Sequence, residues 1–297
     1  SSTVADKVIL SGNGTGDDLY MAKVIRLDAV TSGGTTTWSQ VWIRPFEFDE
    51  TYQSEIKASP SYYGGYTTYT LHTTNGPTQQ HTNTGGAIIV AMNVLYQYEV
   101  SDGYMRALSL ADGKNVWGHV DESGALVDVT CDSGPPPLVT TPGGLYKLRY
   151  PATHSSPAIG GLAAIANDES CVNNARNVTN GAWLWQNTWD YSIAVESSPS
   201  LFNGRVFHGE TLDGVIVSMD WQGDSVTGFE SSGANIWTTG AFSSDHQAVI
   251  FGDDSGQVFA ANTDLVAGNP NMYEKWCNPD VAPYYAIRCS PLVAGVP

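Results

Sequence analysis

Basic residues are few. Thirteen Lys and Arg stand against 30 Asp and Glu in 297 residues, leaving a formal net charge of -17. A chain this acidic repels phosphate backbones and anionic lipid surfaces, which excludes nucleic acid as a partner. Long apolar runs are also missing, and no stretch approaches the ~18 residues that a membrane-crossing helix needs, so no membrane insertion is expected. No charged-then-apolar leader follows Ser1, and a signal peptide, had there been one, is expected to have been removed. Cysteine is scarce: of the four, no two are adjacent and none stand at Cys-x-x-Cys spacing, which speaks against a zinc site and an attached haem. Cys131 and Cys171 flank one connecting segment, and Cys277 and Cys289 flank a short loop with Pro and Tyr. Of the three pairings open to four cysteines, 131 with 171 and 277 with 289 is the expected one, in an oxidising, extracellular or secreted setting.

Repetition is what the chain does have. The run 101–117 packs a turn at Asp102-Gly103, an alternating strand through Ala107, a second turn at Asp112-Gly113 and a strand ending in Trp117. Partial copies recur at 213–220, with Gly214, and at 255–264, with Gly256. A Ser-Pro element precedes each copy, as Ser59-Pro60, Ser156-Pro157, Ser198-Pro199 and Ser290-Pro291. Short apolar runs such as 204–209 and 248–252 follow period two or are continuously apolar, and so read as strands. One unit is then four antiparallel strands, which cannot bury both faces of so small a sheet alone. The fold class expected is all-β, a β-propeller of four-stranded antiparallel blades, about five of them plus the first strand of a sixth.

Ser-Ser-Pro, then an apolar run closing on Gly, then Asp-Gly, Ala-Leu and Gly-Lys before Trp resembles the repeat of pyrroloquinoline-quinone-type propellers, the superfamily of the quinoprotein alcohol dehydrogenases and many non-catalytic relatives. The resemblance implies that the blade Trp wedges between adjacent blades while a small residue on the third strand makes room. Trp117 and Ala107 hold those positions, and Trp38 and Trp276 fit the Trp slot in blades one and five. Blades are expected at 1–50, 56–120, 153–196, 197–232 and 233–280, with insertions at 62–85 and 121–153 and an extra terminal strand at 287–297, in a single domain. Two explanations of that strand stay open: the chain is part of a longer propeller, or another subunit supplies the strands that complete it.

In the dehydrogenases of this superfamily, Trp and a disulfide between adjacent cysteines sandwich the quinone, and carboxylate and amide groups hold a calcium ion. The chain has no adjacent cysteine pair, so neither pyrroloquinoline quinone nor calcium is expected, and no catalytic residue is assigned. The oxygens of the run 13–17 are spaced as a calcium loop would need but lack its acidic density. Asp253 and Asp254 lie where Asp commonly caps turns. No two of the six histidines form a short-spaced metal pair. Two Asn-x-Thr sequons, at Asn13 and Asn177, offer glycosylation sites in turn-like contexts. The insertions, one rich in Tyr and Thr and the other braced by three consecutive prolines, suit contact with a glycan or another protein. The function expected is a non-catalytic extracellular scaffold or adhesion module that self-associates or binds another extracellular protein or glycan. The alternative is a secreted quinoprotein dehydrogenase acting on alcohols or polyols.

Overall fold

The computed structural model describes residues 3–13, 21–46, 52–96, 99–127, 146–147, 153–168, 172–188, 195–211, 214–230, 233–265, 271–278 and 285–292. Among these residues all regular structure is β. The chain divides into two compact units, Ser1–Thr153 with Asn177–Trp183, and His154–Arg176 with Leu184–Pro297.

The first unit opens with β1 (Thr3–Asn13), β2 (Ala22–Ser32) and β3 (Thr35–Pro45), an antiparallel sheet of three strands in that order. Next come β4 (Tyr52–Glu55), β5 (Ser61–Tyr63), β6 (Thr67–His72), β7 (Gln79–Asn83), β8 (Ala87–Tyr96), β9 (Glu99–Ser109), β10 (His119–Asp121) and β11 (Tyr146–Lys147). Strands β4 and β5 pair with opposite ends of β8, β8 with β9, and β9 with β11. The hairpin β6–β7 leaves this sheet and pairs in parallel with β10.

Three four-stranded sheets follow, each in chain order. They are β12 (Ala158–Gly160), β13 (Ala163–Asn167), β14 (Val172–Asn177) and β15 (Trp183–Thr188); β16 (Ser200–Phe202), β17 (Arg205–Gly209), β18 (Val215–Asp220) and β19 (Thr227–Glu230); and β20 (Ala241–Phe242), β21 (Ala248–Gly252), β22 (Val258–Asn262) and β23 (Glu274–Asn278).

Period-two alternation gives these small sheets two apolar faces, and the sheet β16–β19 uses both. In the second unit Val206, Val217 and Met219 pack on Ala163, Ile165 and Ala175 of the preceding sheet. Their neighbours Phe207 and Ile216 turn the other way, onto Val249, Phe251, Phe259 and Ala261 of the following one. In the first unit Ala22, Val24 and Trp42 pack on Ile88, Val90, Met92, Tyr104 and Leu108. Each fully buried Phe or Ile contributes roughly 1.5–3 kcal/mol through the water it excludes.

A recurrent indole bond aligns the packed sheets. Trp42 Nε1 donates to Leu110 O at 2.9 Å, Trp117 Nε1 to Val178 O at 3.0 Å and Trp185 Nε1 to Trp221 O at 2.6 Å. Beneath the rings of Trp42 and Trp185 lie Gly113 and Gly223, both at positive φ, where a Cβ would stand 2.9 and 2.7 Å from the indole. Trp117 is 2 % exposed and Ala107 fully buried. Trp38, expected in this slot, is not there: it is 51 % exposed and Trp42 makes the bond instead. A register shift in the β2–β3 pairing between Arg26 and Leu27 reverses the pleat of β3, so that Trp42 and Trp38 point to opposite faces.

Ser156-Pro157 and Ser198-Pro199 precede the first strands of two sheets, β12 and β16, and Thr238-Thr239 takes that place before β20. Ser197 Oγ donates to Gly209 O at 2.7 Å and accepts from Gly209 N at 2.9 Å; Thr238 Oγ1 makes the same two bonds with Gly252. Gly214 and Gly256 lie at positive φ, with backbone of the next segment 2.6 and 2.9 Å from where a Cβ would be. Gly103 does not sit in a turn. It lies inside β9 opposite Asn93, and the β8–β9 ladder continues to Tyr96 opposite Glu99, because the apolar run of β8 extends the hairpin past the Asp-Gly pair.

His208 is fully buried, and neither ring nitrogen has a hydrogen-bond partner among the described residues. Desolvation pushes its pKa down from 6.5 to about 3. Between those values the unfolded chain binds one proton more than the folded one, so stability falls as pH falls through that window, by roughly 1 kcal/mol per pH unit. Replacing His208→Leu removes this dependence. Denaturant unfolding at mildly acidic and neutral pH is expected to show a smaller difference for the variant than for the parent chain; equal differences would refute the account.

Candidate functional site

The first unit carries a polar site around the 62–85 insertion. The hairpin β6–β7 is a run of Thr, Gln, Tyr and His with little apolar content, so it takes no part in a sheet core. Its partner β10 pairs His119 with Thr70, Val120 with Leu71 and Asp121 with His72. Between this hairpin and the turns at 109–116 and 121–124 lies a cavity of about 440 Å3. Leu71, Val116 and Val120 line its apolar part, and Tyr69, Asn83, Asp112 and Glu122 its polar part. Asn115, 2 % exposed, donates to Gly124 O at 2.6 Å there. Tyr69 also stacks on His81, with ring centroids 5.5 Å apart.

His72 and His119 meet on the face of the β6–β10 pair turned away from Leu71 and Val120, 47 positions apart in the chain, with His72 Nε2 2.7 Å from His119 Nδ1. The rings lie 5.0 Å apart and tilted by 33°. Sequence spacing missed this pair because it depends on the parallel β6–β10 contact, which the antiparallel repeat does not contain. The other histidines serve structure: His154 Nδ1 lies 3.1 Å from Glu196 Oε2, and His246, at φ 58°, stacks on Phe202. Among the described residues no three His, Cys, Asp or Glu side chains gather where they would hold a metal ion.

The aspartates of the Gly turns cap them. Asp253 Oδ1 accepts from Ser255 N, Ser255 Oγ and Gln257 N, and Asp121 Oδ1 accepts from Ser123 N, Ser123 Oγ and Ala125 N. The hydroxyl of Ser123 holds the Asp121 carboxyl below the usual carboxylate range, with the backbone amides adding to it. Asn177 Oδ1 accepts from Thr179 N and Thr179 Oγ1, so that sequon closes its own turn. Asn13 ends β1, and the rest of its sequon lies outside the described residues, as do Cys131 and Cys171.

Cys277 and Cys289 are free thiols, against the expected bridge. Cys277 lies on the edge strand β23 opposite Phe259, and its thiol donates to Gln257 Oε1 at 3.7 Å. Beyond Phe259 comes Phe251 of β21. Ser290, next to Cys289, is bonded by Thr239 N on the β20 side of β21. At about 4.8 Å per strand, two intervening strands hold the thiols farther apart than the ~7 Å Cα limit of a disulfide.

Each unit carries an exposed apolar row on one sheet face. On the first sheet, Leu10, Ile25 and Ile43 form one row across the three strands, on the face opposite Val24 and Trp42. Leu10 is 48 % and Ile43 43 % exposed, and Trp38 shares that face. On the last sheet the row Ala241, Ile250, Ala260, Trp276 faces away from Phe207, and Trp276 is 44 % exposed. The segment beyond it is set as the start of a further sheet. Ile287 N donates to Asp253 O at 2.9 Å as Ile236 N does to Glu210 O at 3.1 Å. Ser290 Oγ accepts from Thr239 N at 3.0 Å as Ser198 Oγ does from Ser156 N at 2.8 Å.

Burial, with the negative Glu274 and Asp253 nearby, pushes the Cys277 thiol pKa up. Disulfide-exchange titration of the native protein is expected to label Cys289 at once and Cys277 slowly. Loss of both reactivities, restored by reductant, would show that the two thiols are bridged after all.

No family model and no curated protein matches the sequence. Solved structures similar to the chain include BamB from Moraxella catarrhalis, 13% identical over 94% of this chain and 76% of that one, with a TM-score of 0.42. A second is the quinohemoprotein alcohol dehydrogenase from Comamonas testosteroni, 15% identical over 72% of this chain, with a TM-score of 0.43; the match spans 36% of that enzyme. A third is the C-terminal WD40 domain of Sif2, 11% identical over 95% of this chain and 86% of that one, with a TM-score of 0.38. BamB and the dehydrogenase are propellers of the pyrroloquinoline-quinone type that the repeat resembles. At these scores the likenesses carry nothing about activity, ligand or partner.

Proposed function

We propose that the chain is a non-catalytic extracellular scaffold with the sheets arranged as propeller blades, and that it self-associates head to tail by strand addition. The observation that carries this reading is a pair of complementary incomplete sheets. The first sheet has β1, β2 and β3 but, among the described residues, no strand in the place that β16 and β20 take beside β17 and β21. At the other end, Ser290-Pro291 stands where Ser198-Pro199 stands at the start of β16, and residues 285–292 pair with no strand among the described residues.

Residues from Ser290 onward of one copy therefore add along β1 of a second copy. The last sheet's row of small residues with Trp276 then covers Leu10, Ile25 and Ile43. A second copy is the proposed occupant because each copy carries both halves, an exposed Leu292 (93 %) after the Ser-Pro element and an exposed Leu10 (48 %) on the first sheet. Main-chain hydrogen bonds along β1 supply affinity, and the apolar row supplies register. Such an interface is heterologous, so repetition gives rings or open filaments. The extracellular setting is supported by the acidic, Lys- and Arg-poor composition and the two sequons.

The test is sedimentation and negative-stain imaging of the native protein beside a variant lacking 289–297 and the point variant Ile43→Lys. Both variants are expected to be monomeric with unchanged far-ultraviolet dichroism, while the parent chain forms oligomers. A parent chain that is monomeric across the accessible concentration range overturns the reading, as do oligomers that survive both changes.

A further inference from the structure

The geometry points to a binding site for a divalent transition-metal ion of the copper(II) or nickel(II) kind, with His72 and His119 as its protein ligands. The two rings are brought together by the backbone. Because β10 runs parallel to β6 with His119 opposite Thr70 and Asp121 opposite His72, side chains at 70, 72, 119 and 121 share one face of the pair. His72 Nε2 and His119 Nδ1 stand 2.7 Å apart on that face, and both side chains are only partly buried, so the site is open to solvent.

The separation selects the ion. Two imidazole nitrogens, each about 2.0–2.1 Å from a common metal and 2.7 Å from each other, subtend an angle of roughly 80–85° there. That is close to the right angle between neighbouring positions of a square-planar or octahedral ion, the geometries of copper(II) and nickel(II) with nitrogen and oxygen donors. Tetrahedral zinc would need the nitrogens about 3.3 Å apart. In the unoccupied pair one nitrogen donates its hydrogen to the other. Binding moves that hydrogen to the second nitrogen of the same ring, so both lone pairs turn to the ion and no net proton is released.

Among the described residues no third His, Cys, Asp or Glu gathers with the pair, and water would complete the coordination. Asp121 lies at a position of the same face by register, its carboxylate turned to cap the 121–125 turn. The ion would tie β10 to the inserted hairpin, two segments joined by only three paired residues.

The test is titration of the full chain with copper(II) alone near neutral pH, followed by calorimetry and electron paramagnetic resonance. One ion per chain is expected, with a tetragonal spectrum split by two nitrogens. His72→Gln and His119→Gln should each weaken binding at least by the roughly ten-fold that even an outer-shell loss costs, while His81→Gln leaves it unchanged. Circular dichroism checks that the variants fold. No binding by the parent chain, binding that survives the double variant, or zinc held more tightly than copper would each overturn the proposal.

Discussion

A small sheet with two apolar faces has to be covered twice. The rest of the structure follows from that constraint. Residues at alternate positions of β17 and β18 are divided between neighbours, Val206 and Met219 toward the sheet before, Phe207 and Ile216 toward the sheet after. Neither set would stay buried if its neighbour were removed. The sheet is therefore stable only as a member of a series, and the series cannot stop without leaving a face bare. Indole-to-carbonyl bonds at Trp42, Trp117 and Trp185 fix the approach of the segments they join, and glycine at positive φ beneath two of the three rings lets the turn come close enough to accept them.

The series also sorts the molecule by chemistry. Apolar atoms concentrate between sheets, while polar and titratable groups collect in turns and in the β6–β7 hairpin, which has no sheet face to cover. Buried charge is tolerated where geometry offsets it. Arg106, buried, lies 4.4 Å over the ring of Phe46, and desolvation, with Arg44 nearby, pushes its pKa down to about 9. The hairpin is freed from packing duty and so is the part of the first unit whose side chains can be devoted to a ligand.

Much of this was legible in the residues. The Ser-Pro elements, the glycines at 214 and 256 and the period-two runs identify antiparallel sheets of four strands because each depends on local geometry. The errors arose where the outcome depends on pairing between distant segments. Trp38 and Trp42 are four apart in one strand and would share a face in a regular one; a single register shift opposite Arg26 separates them. Asp102-Gly103 reads as a turn, but the apolar continuity of β8 carries the ladder beyond it. The His72–His119 pair carries no signal in spacing at all, since it is created by a parallel contact outside the repeat.

The anchoring of residues 287–290 has a kinetic side. Ile287 is bonded to Asp253 and Ser290 to Thr239, and Arg288 lies over Trp237 while pairing with Asp254. Ordering a residue costs about 1–2 kcal/mol of backbone entropy, and for these four that cost is met within their own copy. A strand continuing from Ser290 starts from a fixed origin with a fixed direction. Under the proposed strand addition, capture of an edge would resemble closing a zip already engaged at its first tooth, and the slow orientational search would fall on only a few residues.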